Sequence, residues 1–87
     1  MKTLLTVERG INEQDEDAWC VFVVNVLKED YKKIENMTKT KYDEKSEAFW
    51  FEKNNFYKFN RIKIRNIFRK TLNKLDYSNI LIIGADF

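Results

Sequence analysis

The sequence predicts an α+β domain: an antiparallel sheet of four or five strands with two helices packed on one face, in the order β-β-α-β-β-α-β. Three observations predict it. Residues 18–27 are apolar at almost every position, and Ile80 to Ile83 within 78–85 are apolar throughout, as strands covered on both faces are. Residues 60–75 carry apolar side chains at spacings of 3, 4 and 7, the stripe of an amphipathic helix. The chain has 87 residues, which fits one domain, residues 1–87, with no room for a second.

Taken in order, residues 2–9 read as a strand, because Leu5 and Val7 alternate with Thr6 and Glu8. A polar, acidic connection follows over 10–17. In 18–27, Ala18, Cys20, Phe22, Val24 and Val26 line one face and Trp19, Val21, Val23 and Leu27 the other, so this strand is placed centrally. Residues 28–42 read as a helix, with Glu29 and Asp30 in the first turn, where the macrodipole favours anions. Glu29 with Lys33, and Glu35 with Lys39, are i,i+4 pairs in the favourable order. Residues 43–47 read as a loop, and 47–59 as a hairpin turning at Asn54-Asn55, since asparagine tolerates the positive φ that a tight turn needs. The alternative extends the next helix back to Asn55. In the helix over 60–75, Ile64, Ile67, Phe68, Thr71, Leu72 and Leu75 share one face. The last strand, 78–85, is apolar on both sides. Without its first strand this order is βαββαβ, the ferredoxin-like pattern. There the last strand is usually an edge, so the extra N-terminal strand is expected to pair beside 80–83 and cover it.

Composition narrows the chemistry. Seven Phe, four Tyr and two Trp, within 44% apolar residues, supply the large faces that a domain this small needs inside. There is no histidine, which removes the commonest general base and metal ligand. One cysteine, Cys20, builds neither a disulfide nor a zinc site, and its apolar strand points to a buried, inert thiol. With Gly10 and Gly84 the only glycines, no phosphate-cradling loop forms. The acidic cluster Glu13, Asp15, Glu16 and Asp17 lacks the glycine and distal glutamate of a calcium loop and reads as a solvated turn. No cofactor and no metal are expected, and the chain reads as a binding protein and not an enzyme. An enzyme would have to work with carboxylates and lysines alone, Asp86 or Glu52 being the positions to test. No apolar run approaches the roughly 20 residues of a membrane span, and Glu8 and Arg9 interrupt the start of a signal-like N-terminus, so a cytoplasmic protein is expected. Lys, Asn and Ile make up 29 of the 87 residues. In this bias, and in having no proline, the chain resembles the small accessory proteins of bacteriophages and mobile elements.

Charge carries the functional signal. Residues 1–52 hold 8 Lys and Arg against 12 Asp and Glu, and residues 53–87 hold 8 against 2. Arg61, Arg65 and Arg69 are spaced i,i+4 and are expected to stack along one side of the helix over 60–75. Lys63, Lys70 and Lys74 flank the other side, with Lys58 just before. Such like-charge spacing costs an isolated helix about 0.2–0.5 kcal/mol per pair, and cations at its N-terminus oppose the dipole. Local rules are broken where function is expected, and the remedy is an external anion. Tyr57, Phe56 and Trp50 are candidate stacking residues, with the core as their alternative place. The expected partner is nucleic acid, RNA before DNA, or a host protein that handles nucleic acid and is blocked by this chain, as by an antitoxin or a phage counter-defence factor. Reversing Arg61, Arg65 and Arg69 to glutamate is expected to leave the fold intact and abolish binding.

Overall fold

The computed structural model describes residues 2–84. Strand β1 (Thr3–Ile11) turns back antiparallel into β2 (Asp17–Val24), with Leu5 opposite Val23 and Val7 opposite Val21. A 3-10 turn at Lys28–Asp30 leads into helix α1 (Tyr31–Thr38). Strands β3 (Lys41–Asp43) and β4 (Ala48–Trp50) form a second hairpin. A 3-10 turn at Lys53–Asn55 precedes helix α2 (Arg61–Lys74), and β5 (Ile80–Ile82) ends the described chain. The chain is α+β, with two helices and one five-stranded sheet in the order β3-β4-β2-β1-β5.

The sheet is mixed, which corrects the all-antiparallel expectation: β1 pairs with β5 in parallel, and the other three pairings are antiparallel. The physical cause is the N-terminal strand. It inserts between β2 and β5, running against β2 and in the same direction as β5. Strand β5 is therefore at an edge of the sheet, not central, with Leu81 46% exposed. Of the predicted strand 78–85, Ala85 lies outside the described residues.

Both helices close one core. Leu5, Val7, Trp19 and Val21 of the sheet meet Ile34 of α1, Phe49 and Phe51, and Ile64, Phe68 and Leu72 of α2. The predicted α2 stripe holds, with Ile64, Phe68, Thr71 and Leu72 buried and Ile67 and Leu75 half-buried. Phe49 and Phe68 are fully buried and stand edge to face at 5.8 Å; burying each contributes about 1.5–3 kcal/mol.

Three further expectations are corrected. The first helix ends at Thr38, not Tyr42, because Lys39 takes a left-handed conformation (φ 58°) and donates its N–H to the Glu35 carbonyl. The freed segment becomes β3, and Glu35 accepts the Tyr42 N–H (2.7 Å) while Lys33 lies 3.9 Å from Asp30, in place of the predicted i,i+4 pairs. The hairpin turns before β4, with Glu47 at φ 56°, while Asn54-Asn55 lies in a 3-10 turn and 56–59 is not a strand. Finally, β2 is covered by helices on one face only. On the other, Trp50 lies across Gly10, where a Cβ would come within 3.0 Å of its ring. The ring shields Ala18 and Cys20, while Val24 remains 49% exposed.

Candidate anion-binding face

Helix α2 is started by Asn60, whose side chain accepts the Lys63 N–H at 2.8 Å, relieving one unpaired donor of the first turn. With its apolar stripe against the sheet, the helix sorts its cations by angle. Each i,i+4 step turns about 40° around the axis, so the arginine row does not stay on one side. Arg61 and Arg65 are half-buried at the flank of the core, and only Arg69 is exposed.

Arg61 points inward. Its Nη1 donates to the Val7 carbonyl at 2.6 Å, and its guanidinium sits 5.5 Å from the centre of the Trp19 ring. Among the described residues β5 pairs with Thr3, Leu4 and Leu5 of β1, and Arg61 caps the Val7 carbonyl further along that strand. Arg65 reaches toward the end of the sheet, where its Nη2 lies 4.0 Å from the place a side chain at Gly84 would occupy. Charge reversal at Arg61 is therefore expected to damage the fold, contrary to the reading of the arginine row as freely replaceable.

The outward face belongs to the lysines. Lys63, Lys70 and Lys74 are exposed and fall within one sector of the helix, a row about 16 Å long at 1.5 Å per residue. Lys63 Nζ rests 4.6 Å from the Phe59 ring centre. Between the row and the first turn lies an open recess of ≈ 470 Å³ lined by Asn60, Ile62, Lys63, Asn66, Ile67 and Lys70. Arg69 is exposed on the opposite side of the outward face and Lys58 before the helix. Among the described residues, none of Lys58, Lys63, Arg69, Lys70 and Lys74 forms an ion pair; the two ion pairs found there are Lys33–Asp30 and Lys53–Glu16.

The acids are engaged elsewhere. Glu16 bonds Lys53 at 2.7 Å, and that contact holds its carboxyl below the usual range and raises the Lys53 ammonium. Asp43 is lowered chiefly by the Ser46 hydroxyl at 2.7 Å. Asp30 accepts the Tyr77 hydroxyl at 2.6 Å. The acidic cluster of 13–17 forms the β1–β2 turn, where Asn12 Oδ1 accepts the N–H groups of Gln14 and Glu16. It touches the basic half at Lys53 and not on α2. Among the described residues, no group of three Asp, Glu or Cys side chains converges to hold a metal ion. Cys20 is buried, and desolvation, helped by Glu8, pushes its thiol up to about 11. Glu52 is exposed, and Asp86 lies outside the described residues.

The three aromatic candidates separate. Tyr57 is 90% exposed. Phe56 is half-buried, 5.9 Å from Trp19. Trp50 lies on the helix-free side of the sheet, its Nε1 donating to Ser46 Oγ at 2.9 Å, so it does not join the α2 face. Arg9 gave no signal in the sequence reading, yet it lies 5.8 Å from the Trp19 ring centre. Its odd register on β1, shared with Leu5 and Val7, was the available clue. No helix among the described residues is long and apolar enough to cross a membrane. Comparison with known protein families, curated proteins and solved structures finds no significant match.

Proposed function

We propose that this chain is a cytoplasmic, non-enzymatic binding protein that lays the outward face of α2 against the phosphate backbone of RNA. One observation carries the reading: Lys63, Lys70 and Lys74 share one helix sector, with Arg69 at the other border of the outward face, and none has a carboxylate partner among the described residues. Four uncompensated cations on one helix repel one another, and a polyanion removes that cost while releasing its own counterions. A row of about 16 Å spans several phosphates. The single thiol, held protonated at neutral pH, and the lack of histidine support binding without chemistry.

The test is fluorescence anisotropy with a labelled RNA at low salt. Replacing Lys63, Lys70 and Lys74 with glutamate weakens binding at least tenfold, whereas reversing Lys32 and Lys41, exposed in the other half of the chain, changes it little. Both variants keep the wild-type circular dichroism spectrum. Equal loss in the two variants overturns the assignment to α2. One protein retained from host lysate after nuclease digestion, with no affinity for naked RNA, reassigns the face to an acidic protein partner, as an inhibitor of a nucleic-acid-handling enzyme would show.

A further inference from the structure

Building on the reading of α2 as a phosphate-binding face, we infer that Tyr57 and Arg9 form a subsite for one unpaired nucleotide, its base on Tyr57 and its phosphate at Arg9, so that the ligand is single-stranded. Tyr57 is the starting observation. A ring that is 90% exposed contributes almost nothing to the core, whereas the other large aromatics among the described residues are buried or half-buried.

The backbone that carries the ring is held in place. Phe56 meets Tyr57 edge to face at 4.9 Å and 85° and itself lies 5.9 Å from Trp19. Trp19 Nε1 donates to the Phe56 carbonyl at 3.0 Å. The loop beneath is closed by N–H bonds from Phe56 to Lys53 and from Lys58 and Phe59 to Asn55, and tied to the β1–β2 turn by the 2.7 Å Lys53–Glu16 pair. With its backbone already ordered, Tyr57 gives up only side-chain freedom when a base stacks on it.

Charge lies on the other side of Phe56. Phe56 lines a recess of ≈ 270 Å³ together with Arg9, Gly10, Ile11 and Asp17. Arg9 is exposed, and its guanidinium lies 5.8 Å from the centre of the Trp19 ring, against which Phe56 also packs. Asp17 shares the recess, and its repulsion of phosphate favours the Arg9 side. An aromatic face next to a guanidinium is the chemistry by which unpaired nucleotides are held, and it accepts any base. A duplex keeps its bases stacked inside and offers Tyr57 nothing to stack on.

The experiment measures affinity of the whole chain for a labelled RNA of about 12 nucleotides, within the length range of single-strand sites, and for the same RNA as a blunt duplex. The single strand binds more tightly. Tyr57→Ala loses about 5- to 100-fold for the single strand, the range for one stacked base, with little change for the duplex, while Tyr57→Phe keeps wild-type affinity. Arg9→Gln weakens binding and lowers the salt slope by about one. Salt-dependent binding that Tyr57→Ala leaves untouched, or that favours the duplex, overturns the subsite and leaves the α2 reading standing. Absence of salt-dependent binding to either RNA overturns both. Thermal melting of Tyr57→Ala at the wild-type midpoint excludes loss of fold as the cause.

Discussion

Replacing Arg61 and Arg69 one at a time with alanine separates a structural arginine from a surface one on the same helix. Arg61 gives a charged hydrogen bond of 2.6 Å to the Val7 carbonyl. Bonds to charged groups contribute about 1.5–3 kcal/mol, and the low end applies because the side chain is only half-buried. The guanidinium over Trp19 at 5.5 Å adds about 0.5–1 kcal/mol. Arg61→Ala therefore costs about 2 kcal/mol, and since 1 kcal/mol moves Tm by about 4–8 °C in a domain of this size, Tm falls by about 8–16 °C. Arg69 is exposed and makes no ion pair among the described residues, so Arg69→Ala stays within about 0.5 kcal/mol of wild type. Thermal melts followed by circular dichroism, with urea titrations to confirm an unchanged m-value, measure both. An Arg61→Ala midpoint within about 2 °C of wild type, or an equal fall in both variants, would refute the division of the arginine row.

Cys20, its thiol pushed up to about 11 by burial, should react with a disulfide reagent at pH 8 roughly a hundredfold more slowly in the native chain than in the urea-unfolded one; Trp50→Ala should raise the native rate, and equal native and unfolded rates would contradict the burial. The Tyr77 hydroxyl accepts the Leu27 N–H and donates to Asp30, so Tyr77→Phe should cost about 1–2 kcal/mol in urea unfolding. Burial first, and then the bond to Asp30, hold the Tyr77 phenol above its usual value. Its contribution is therefore complete below about pH 10 and lost as pH rises through the folded value, and the alkaline fall in stability should be shallower in Tyr77→Phe. Glu16 is lowered, chiefly by its bond to Lys53. That small, solvent-exposed contribution is present above pH 4.5 and fades as pH falls through the lowered value; the acid limb of the urea midpoint should be flatter in Glu16→Gln, and an unchanged limb would remove the pair from the account.

Elements with a long period were readable. Helix α2 carries four turns of apolar spacing, β1 alternates over most of its nine residues, and β2 is apolar without a break from Ala18 to Val24. The β3–β4 hairpin was not, because three-residue strands such as Lys41–Asp43 are too short to show a period. Its start also depends on Lys39 in a left-handed conformation, for which glycine is the usual signal. The apolar second face of β2 was read as covered by another layer. In the structure Trp50 from β4 folds over part of it instead, a contact between strands distant in sequence. Among the candidate site residues, the basic character of α2 was legible from composition. Which cations face outward required the helix phase set by Ile64, Phe68 and Leu72. That phase turns Arg61 toward Val7 and leaves Lys63, Lys70 and Lys74 outside.

The central claim, that the lysine row of α2 meets phosphate, is tested most directly by the salt dependence of RNA affinity. Three phosphate contacts on a single strand give a slope of about −2 in a plot of log K against log salt. The account predicts at least that slope for the wild-type chain and a slope smaller in magnitude by about 2 when Lys63, Lys70 and Lys74 are glutamate. A wild-type affinity that stays flat across the same salt range would contradict it.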